Sequence, residues 1–302
     1  MYNYIRGEGM SINSIVDINK SYVYRKHLRE SFFSLFKGVL FLISIMVLML
    51  IGLLSTEKNI IISEVLIFIA IFTAILFVVL TVELAVMYFV FIRRFKKINV
   101  TLKEDCIIYN NAKKKIIIPY DDIEKIVFPS IKYTGGWVKI VYKGGNIRLT
   151  VVLENIGDFL YNLKAILDSK GKNDIYNEKK MFSFFKTASF SDESWQRLYD
   201  NTKLQVLLYY VSCILTIIIL FFSDRTQSNG IFIMGGILAP VIGYLLAEII
   251  IGAKVKKRII ENECKIKPRD VEWENRTLRI FMIASTAIYI LAVLIFKFVF
   301  HI

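Results

Sequence analysis

Five long apolar runs dominate the pattern of the chain and predict five membrane-spanning helices. A transmembrane helix needs about 20 apolar residues to cross a hydrocarbon core of about 30 Å. The runs that reach or approach this length are Gly38–Ser55, Ile60–Ile92, Leu204–Ser223, Gly230–Gly252 and Leu278–Phe300. No small-residue cleavage site follows the first run, so we interpret it as a permanent helix and not as a signal peptide.

Between the second and third runs the pattern changes to short alternating segments, which predict β-strands. The first, NVTLKEDCIIYNN, has Val100, Leu102, Tyr109 and either Cys106 or Ile107 as inward positions. KIIIPYDDIEKIVFPSIKY, WVKIVYK and IRLTVVL follow, and TGGW and GGN separate them as turn signals. The next apolar residues have helical spacing, and this pattern stops near Gly171. The sequence therefore predicts antiparallel strands capped by one amphipathic helix.

The segment IIIPYDDIEKIVF predicts the second and third strands of this region, with a corner between them. Pro119 fixes its own φ and ends strand pairing on its side. Asp121 or Asp122 can accept backbone hydrogen bonds in the turn. Ile123 and Ile126 are then expected to enter the core, and we interpret the acids as turn-forming residues without a catalytic role.

Two polar segments flank the membrane runs and have helical spacing. Residues 1–37 predict an amphipathic lead-in helix on the cytoplasmic face; its apolar positions are Ile15, Ile18, Tyr22, Leu28 and Phe32. Residues 171–203 predict a linker and an interfacial helix; the residues that share one face are Trp195, Leu198, Tyr199 and Thr202.

Basic residues then fix the predicted topology of the 302-residue chain, whose net charge is +13. They cluster before the first run and after the second and fourth runs, whereas the loops STEKN and SDRTQSN carry one basic residue each. The positive-inside rule places the N-terminus, region 93–203 and region 253–277 in the cytoplasm, with the C-terminus outside. The predicted organisation is a lead-in (1–37), helices 1–2 (38–97), a soluble domain (98–170), a linker with its interfacial helix (171–203), helices 3–4 (204–258), a cytoplasmic loop (259–277) and helix 5 (278–302).

The order of elements resembles the bacterial PH-like (pleckstrin-homology-like) domains. The likeness rests on strands broken by two-residue turns, on the strand–turn–strand IPYDDIEKI, and on a last helix of the form N-x-x-x-F-L-x-x-L-x-x-x-L. Small bacterial membrane proteins of this type place two transmembrane helices directly before the domain, and the likeness covers residues 15–168. The resemblance implies a helical integral membrane protein of the cell membrane with an inserted α+β domain at the inner leaflet.

Lys113, Lys114 and Lys115 form a basic turn where lipid-binding PH domains of eukaryotes hold a phosphorylated headgroup. The position agrees with that family, but the Lys-x-n-Arg pattern is missing. The resemblance therefore makes these lysines candidates for binding an anionic headgroup or a partner. The alternative is a solvated hairpin near a negative membrane surface, where each Lys adds about 1 kcal/mol of attraction.

Two of the carboxylates within the apolar runs, Glu83 and Glu248, need an explanation. Glu83 lies about 15 Å from Arg93 along a helix at 1.5 Å per residue, and a charge at that depth is a functional candidate by default. The functional interpretation is a proton or cation site, or a partner for another helix. The alternative is a protonated side chain that faces a helical neighbour. Glu248 lies near the end of helix 4 and is expected to reach the interface.

No catalytic, metal or cofactor motif is visible. The two histidines, His27 and His301, are predicted on opposite sides of the membrane, and the three cysteines form no CxxC pair. Nucleic-acid binding is not favoured, since the basic residues follow the membrane boundary. The sequence predicts a non-enzymatic binding or scaffold protein whose partner is anionic lipid, another membrane protein or a sheet-edge peptide, and it leaves a homo-oligomer open. The alternatives are a transport or export component and a bacteriocin-immunity-type protein.

Overall fold

A computed structural model describes residues 19–54, 62–129, 136–223, 229–260 and 264–299. Its elements, in chain order, are β1 (Ser21–Val23), α1 (Lys26–Arg29), α2 (Phe32–Leu54), α3 (Ile62–Met87), a π-helical turn (Tyr88–Ile92), α4 (Arg93–Phe95), β2 (Asn99–Leu102), β3 (Cys106–Asn110), β4 (Lys115–Pro119), a 3-10 turn (Tyr120–Asp122), β5 (Ile123–Val127), β6 (Trp137–Tyr142), β7 (Gly145–Thr150), α5 (Ile156–Ser169), a 3-10 turn (Asn173–Ile175), α6 (Glu178–Phe222), α7 (Asn229–Arg258), β8 (Ile259–Ile260), β9 (Lys265–Ile266) and α8 (Val271–Phe298). Ile15, Ile18 and His301 lie outside the described residues.

The five predicted membrane segments are confirmed as helices long and apolar enough to cross a membrane, namely α2, α3 with the turns that follow it, α6, α7 and α8. The chain divides into two compact units. We call them the sheet unit (Met1–Arg29, Phe91–Glu193 and Lys256–Lys267) and the helical unit (Glu30–Val90, Ser194–Val255 and Pro268–Ile302).

The sheet unit contains two antiparallel sheets, in the orders β1-β2-β3-β4 and β5-β6-β7, and α5 packs into their shared core. Strand pairing explains the alternation, because Val100 faces Tyr109 and Leu102 faces Ile107 across one ladder. These four side chains are buried. The predicted inward positions are therefore confirmed, with Ile107 and not the half-buried Cys106 as the core residue.

The predicted lead-in helix is wrong at Tyr22, whereas Leu28 and Phe32 do lie in helices, α1 and α2. Ser21–Val23 is strand β1, and Tyr22 pairs with Val100 on β2. The Tyr22 ring packs edge-on against Phe159 at 5.3 Å, and its hydroxyl donates to Asp158 at 2.9 Å. Tertiary pairing thus overrides the helical spacing, because an aromatic residue beside a β-branched neighbour fits a half-buried sheet well. The sheet unit consequently begins before the first membrane helix and extends beyond 98–170.

The corner in IIIPYDDIEKIVF forms as predicted, but its strands are the fourth and fifth in chain order. Pro119 ends β4, Asp121 lies in the 3-10 turn, and Ile123 and Ile126 are buried. The count differs by two because β1 lies in the lead-in and because NVTLKEDCIIYNN forms two strands, β2 and β3. Its turn is closed by the Lys103 amide, which donates to the Cys106 carbonyl at 2.9 Å.

Two ion pairs bind the separate chain segments of the sheet unit together. Arg25, which follows β1, donates to Asp192 on α6 at 2.7 Å and to the Val151 carbonyl at 2.7 Å. Arg258, at the end of α7, donates to Glu193. Three segments that are far apart in sequence therefore meet through charged side chains.

Candidate binding site

The outer edge of β5 lies beside a groove of about 420 Å³. β5 is an edge strand because β6 pairs with only one of its sides. The second wall is the stretch around the 3-10 turn Asn173–Ile175, and Tyr176 forms a parallel bridge to Ile126. The residues that line the groove are Glu124, Lys125, Ile126, Val127, Phe128, Asp174, Ile175, Tyr176, Asn177 and Lys180.

The groove has a charged rim, and two apolar residues of its strand wall are buried in the core. Ile126 and Phe128 are buried, and the Phe128 ring lies 5.7 Å from that of Phe184. Glu124, Lys125 and other rim side chains of both signs are exposed. A groove beside a strand edge suits an extended peptide, because the edge supplies main-chain hydrogen bonds.

A polar cluster holds Tyr176 in the groove wall. The Tyr176 hydroxyl donates to the Asp168 carboxylate, and the Lys164 ammonium lies 2.7 Å from Asp168 and 3.2 Å from Glu178. Burial, reinforced by the hydrogen bond to Asp168, raises the pKa of Tyr176 to about 12. Burial alone would lower the pKa of Lys164, but its bonds to Asp168, Tyr176 and Glu178 raise it overall. The cluster therefore keeps a neutral phenol and a charged ammonium in place.

Comparison of the chain with family models, curated proteins and solved structures found no match. The interpretation of the site accordingly depends on its own geometry.

The three candidate lysines lie away from the lining of the groove, on the hairpin between β3 and β4. Lys113, Lys114 and Lys115 are all exposed. The Asn111 amide donates to the Lys114 carbonyl at 2.8 Å, which closes the turn, and Lys115 begins β4 opposite Asn110. The hairpin thus presents three ammonium groups to its surroundings.

Glu83 lies on the exposed surface of α3. No described polar group converges on it, so the described part of the helical unit does not enclose this carboxylate.

Sequence reasoning missed a buried ionic cluster in the helical unit. Arg197 on α6 is fully buried and donates to Glu248 on α7 at 2.8 and 2.7 Å and to Glu274 on α8 at 3.0 Å. Arg269 donates to the same Glu274 oxygen at 2.7 Å. The expectation that Glu248 reaches the interface is wrong, since it is 8% exposed and ion-paired. The charges compensate one another, so we interpret the cluster as a clamp between helices.

The predicted interfacial segment is helical, and its most buried positions within the helical unit are polar. Trp195 and Tyr199 are half-buried and Thr202 is exposed, whereas Arg197 and Asn201 are buried. The segment continues without a break into the third membrane helix as part of α6. Polar residues recur every four positions along this segment, and this stripe was the signal in the sequence for the buried cluster. A polar stripe on a helix is normally predicted to face solvent.

Two further observations concern the reactive chemistry that the described residues could support. Cys264 is buried, and burial raises the pKa of its thiol to about 11, which leaves little reactive thiolate. Over the described ranges, no group of three or more His, Cys, Asp or Glu side chains could hold a metal ion.

Proposed function

We propose that the chain is a membrane-anchored binding protein whose sheet unit takes an extended peptide segment of another protein along β5. The observation that carries this proposal is the parallel bridge between Tyr176 and Ile126. At that point the β5 edge already accepts main-chain pairing from a non-sheet segment. The adjoining groove runs beside residues 124–128 of this edge.

The architecture supports a PH-like domain at the inner leaflet as the frame for this site. Strands β2–β7 follow the first two membrane helices and precede α5, as the resemblance implies, whereas β1 joins the first sheet from before those helices. The positive-inside pattern supports a cytoplasmic position for this unit. Five helices long and apolar enough to cross a membrane support a membrane-anchored protein.

The test uses the full chain in lipid nanodiscs and a phage-displayed library of random peptides as the probe. We expect recovered peptides to slow amide hydrogen exchange in Ile123–Val127. Strand addition also predicts that N-methylation at alternate peptide residues abolishes binding, while methylation at the intervening residues is tolerated, because only every second amide faces the edge. Peptides that bind without protecting β5, or that tolerate both methylation patterns, would exclude the proposal.

The exposed lysine hairpin supports a second candidate, the binding of anionic headgroups. Each of the three ammonium groups adds about 1 kcal/mol near an anionic surface. We expect hydrogen exchange at Asn110–Lys115 to slow in phosphatidylglycerol nanodiscs relative to phosphatidylcholine, and the triple variant Lys113→Ala, Lys114→Ala, Lys115→Ala to remove the difference. An unchanged difference in the triple variant would count against this candidate.

A further inference from the structure

We propose that α6 and α7 bind one buried water molecule between them, at the point where Pro240 interrupts the hydrogen bonding of α7. The residues that form this site are Ser212 and Thr216 on α6 and Gly236 on α7, all within the helical unit. The proposal does not depend on the peptide groove, because the lining of the groove belongs to the sheet unit.

Pro240 leaves one main-chain acceptor of α7 without its usual donor. In an α-helix the amide of each residue donates to the carbonyl four positions earlier, and proline has no amide hydrogen. The carbonyl of Gly236 therefore receives no hydrogen bond from position 240. An unsatisfied carbonyl is costly in hydrocarbon, so neighbouring helices, hydroxyl groups or ordered waters satisfy the groups that proline frees in a membrane helix.

Oxygen atoms of α6 face Gly236. This residue has no side chain, and the three atoms nearest to the position that its Cβ would take, beyond the α7 main chain, are Thr216 Oγ1 at 3.1 Å, the Ser212 carbonyl oxygen at 3.5 Å and Ser212 Oγ at 3.6 Å. At Gly52 on α2 the three nearest atoms are all side-chain carbons. The contact between α6 and α7 is therefore rich in oxygen at the level of the freed carbonyl.

The Ser212 hydroxyl supplies the second group that needs a partner. Ser212 is fully buried, and its Oγ forms no hydrogen bond with any residue in the described part of the chain. Two other buried hydroxyls of the same bundle donate to main-chain carbonyls, Thr216 to Ser212 at 2.7 Å and Thr286 to Met282 at 2.8 Å. A buried polar group without a partner is costly, and ordered water is the usual remedy.

Ser212, Thr216 and Gly236 together offer the three partners that a buried water typically has. The water accepts the Ser212 hydroxyl hydrogen and donates its own two hydrogens to the Gly236 carbonyl and to Thr216 Oγ1. A cation suits this site less, because these ligands are neutral and the carboxylate on α7, Glu248, follows Gly236 by twelve residues, about 18 Å at 1.5 Å per residue. The bound water replaces the hydrogen bond that Pro240 removes and joins α6 to α7.

The experiment is water-edited solid-state NMR of the full chain in lipid bilayers, which measures magnetisation transfer from water to individual residues. We expect transfer to Ser212 and Gly236 and none to Thr286, whose buried hydroxyl is already bonded. The double variant Ser212→Ala, Thr216→Val should lose the transfer to Gly236, because only the carbonyl remains to hold the water. The matched control Thr286→Val removes a hydroxyl from the same bundle and should leave that transfer unchanged.

A dry Gly236 in the unaltered chain would overturn the proposal, and this measurement decides the question even where the double variant fails to fold. Transfer to Gly236 that persists in the double variant, or equal transfer to Thr286, would also overturn it, since water would then enter the bundle generally. Exchanging choline chloride for sodium chloride should leave the Gly236 chemical shift unchanged. A sodium-dependent shift would indicate a bound cation and exclude the water site.

Discussion

Arg197 and Glu248 are joined by two parallel hydrogen bonds, Nε to Oε1 at 2.8 Å and Nη2 to Oε2 at 2.7 Å. This bidentate geometry is the strongest that a guanidinium makes with a carboxylate. Because Nη1 also donates to Glu274, one buried arginine connects α6, α7 and α8 within the helical unit. A hydrophobic replacement of similar length cannot satisfy the two carboxylates that remain.

Replacing this arginine should destabilise the helical unit. Arg197→Met leaves Glu248 and Glu274 buried without their shared partner, which costs about 3–5 kcal/mol. The matched control is Lys203→Met, which removes an exposed cation from the same helix. Thermal unfolding in detergent should show a large loss for the first variant and little change for the second. Equal melting temperatures would contradict a clamping role.

A second prediction concerns β1. Tyr22 is 2% exposed and its hydroxyl accepts from Asn162 at 3.0 Å. Tyr22→Ala should lower the free energy of unfolding of the sheet unit by about 3–5 kcal/mol, as for other buried aromatic truncations.

For the same reason a fragment of residues 98–170 should not unfold cooperatively, since it lacks β1 and the core residue Phe184. A sharp thermal transition of that fragment would refute this expectation.

The stability of the sheet unit should fall at alkaline pH in a way that depends on Tyr176. Its pKa is raised to about 12 in the folded protein, against an ordinary value of about 10. The stabilisation is therefore complete below about pH 10 and is lost as the pH rises towards about 12. Tyr176→Phe should cost about 1–2 kcal/mol at neutral pH and flatten this dependence.

Denaturant unfolding at a series of pH values measures the effect as the difference between wild type and variant. The subtraction is necessary because burial also raises the pKa of Tyr24, Tyr109 and Tyr120. Parallel curves for the two proteins would show that Tyr176 does not couple to folding.

Two helical glycines should respond in opposite ways to alanine. A Cβ at Gly243 would lie 2.5 Å from the Phe281 carbonyl oxygen and 2.8 Å from the Met282 Cα, which are backbone atoms of α8. Gly243→Ala should therefore lower stability by about 1–3 kcal/mol. Gly38→Ala meets nothing within 4 Å and should be neutral or stabilising by up to about 1 kcal/mol. Similar melting temperatures for both variants in detergent would contradict close packing of α7 on α8.

The groove could be predicted from the sequence only in part. The pattern placed β5, and with it Ile123 and Ile126, because period-two burial is a local signal. The second wall was not predictable, since Tyr176 reaches Ile126 across 50 residues and no local pattern encodes that bridge. The exposed lysine hairpin was predicted, because a polar turn between strands has few alternatives.

The sequence by itself determined the five apolar helices, the alternating strands and the Pro119 corner. Each of these depends on residues close together in the chain, where hydrophobic spacing and backbone restriction act. Only the tertiary structure decided that Tyr22 joins a sheet, that Arg197 is buried and that Glu83 is exposed. For each of these residues the local pattern permits either a buried or an exposed side chain. For Tyr22 and Arg197 the outcome depends on partners that are distant in sequence, Val100 and Glu248.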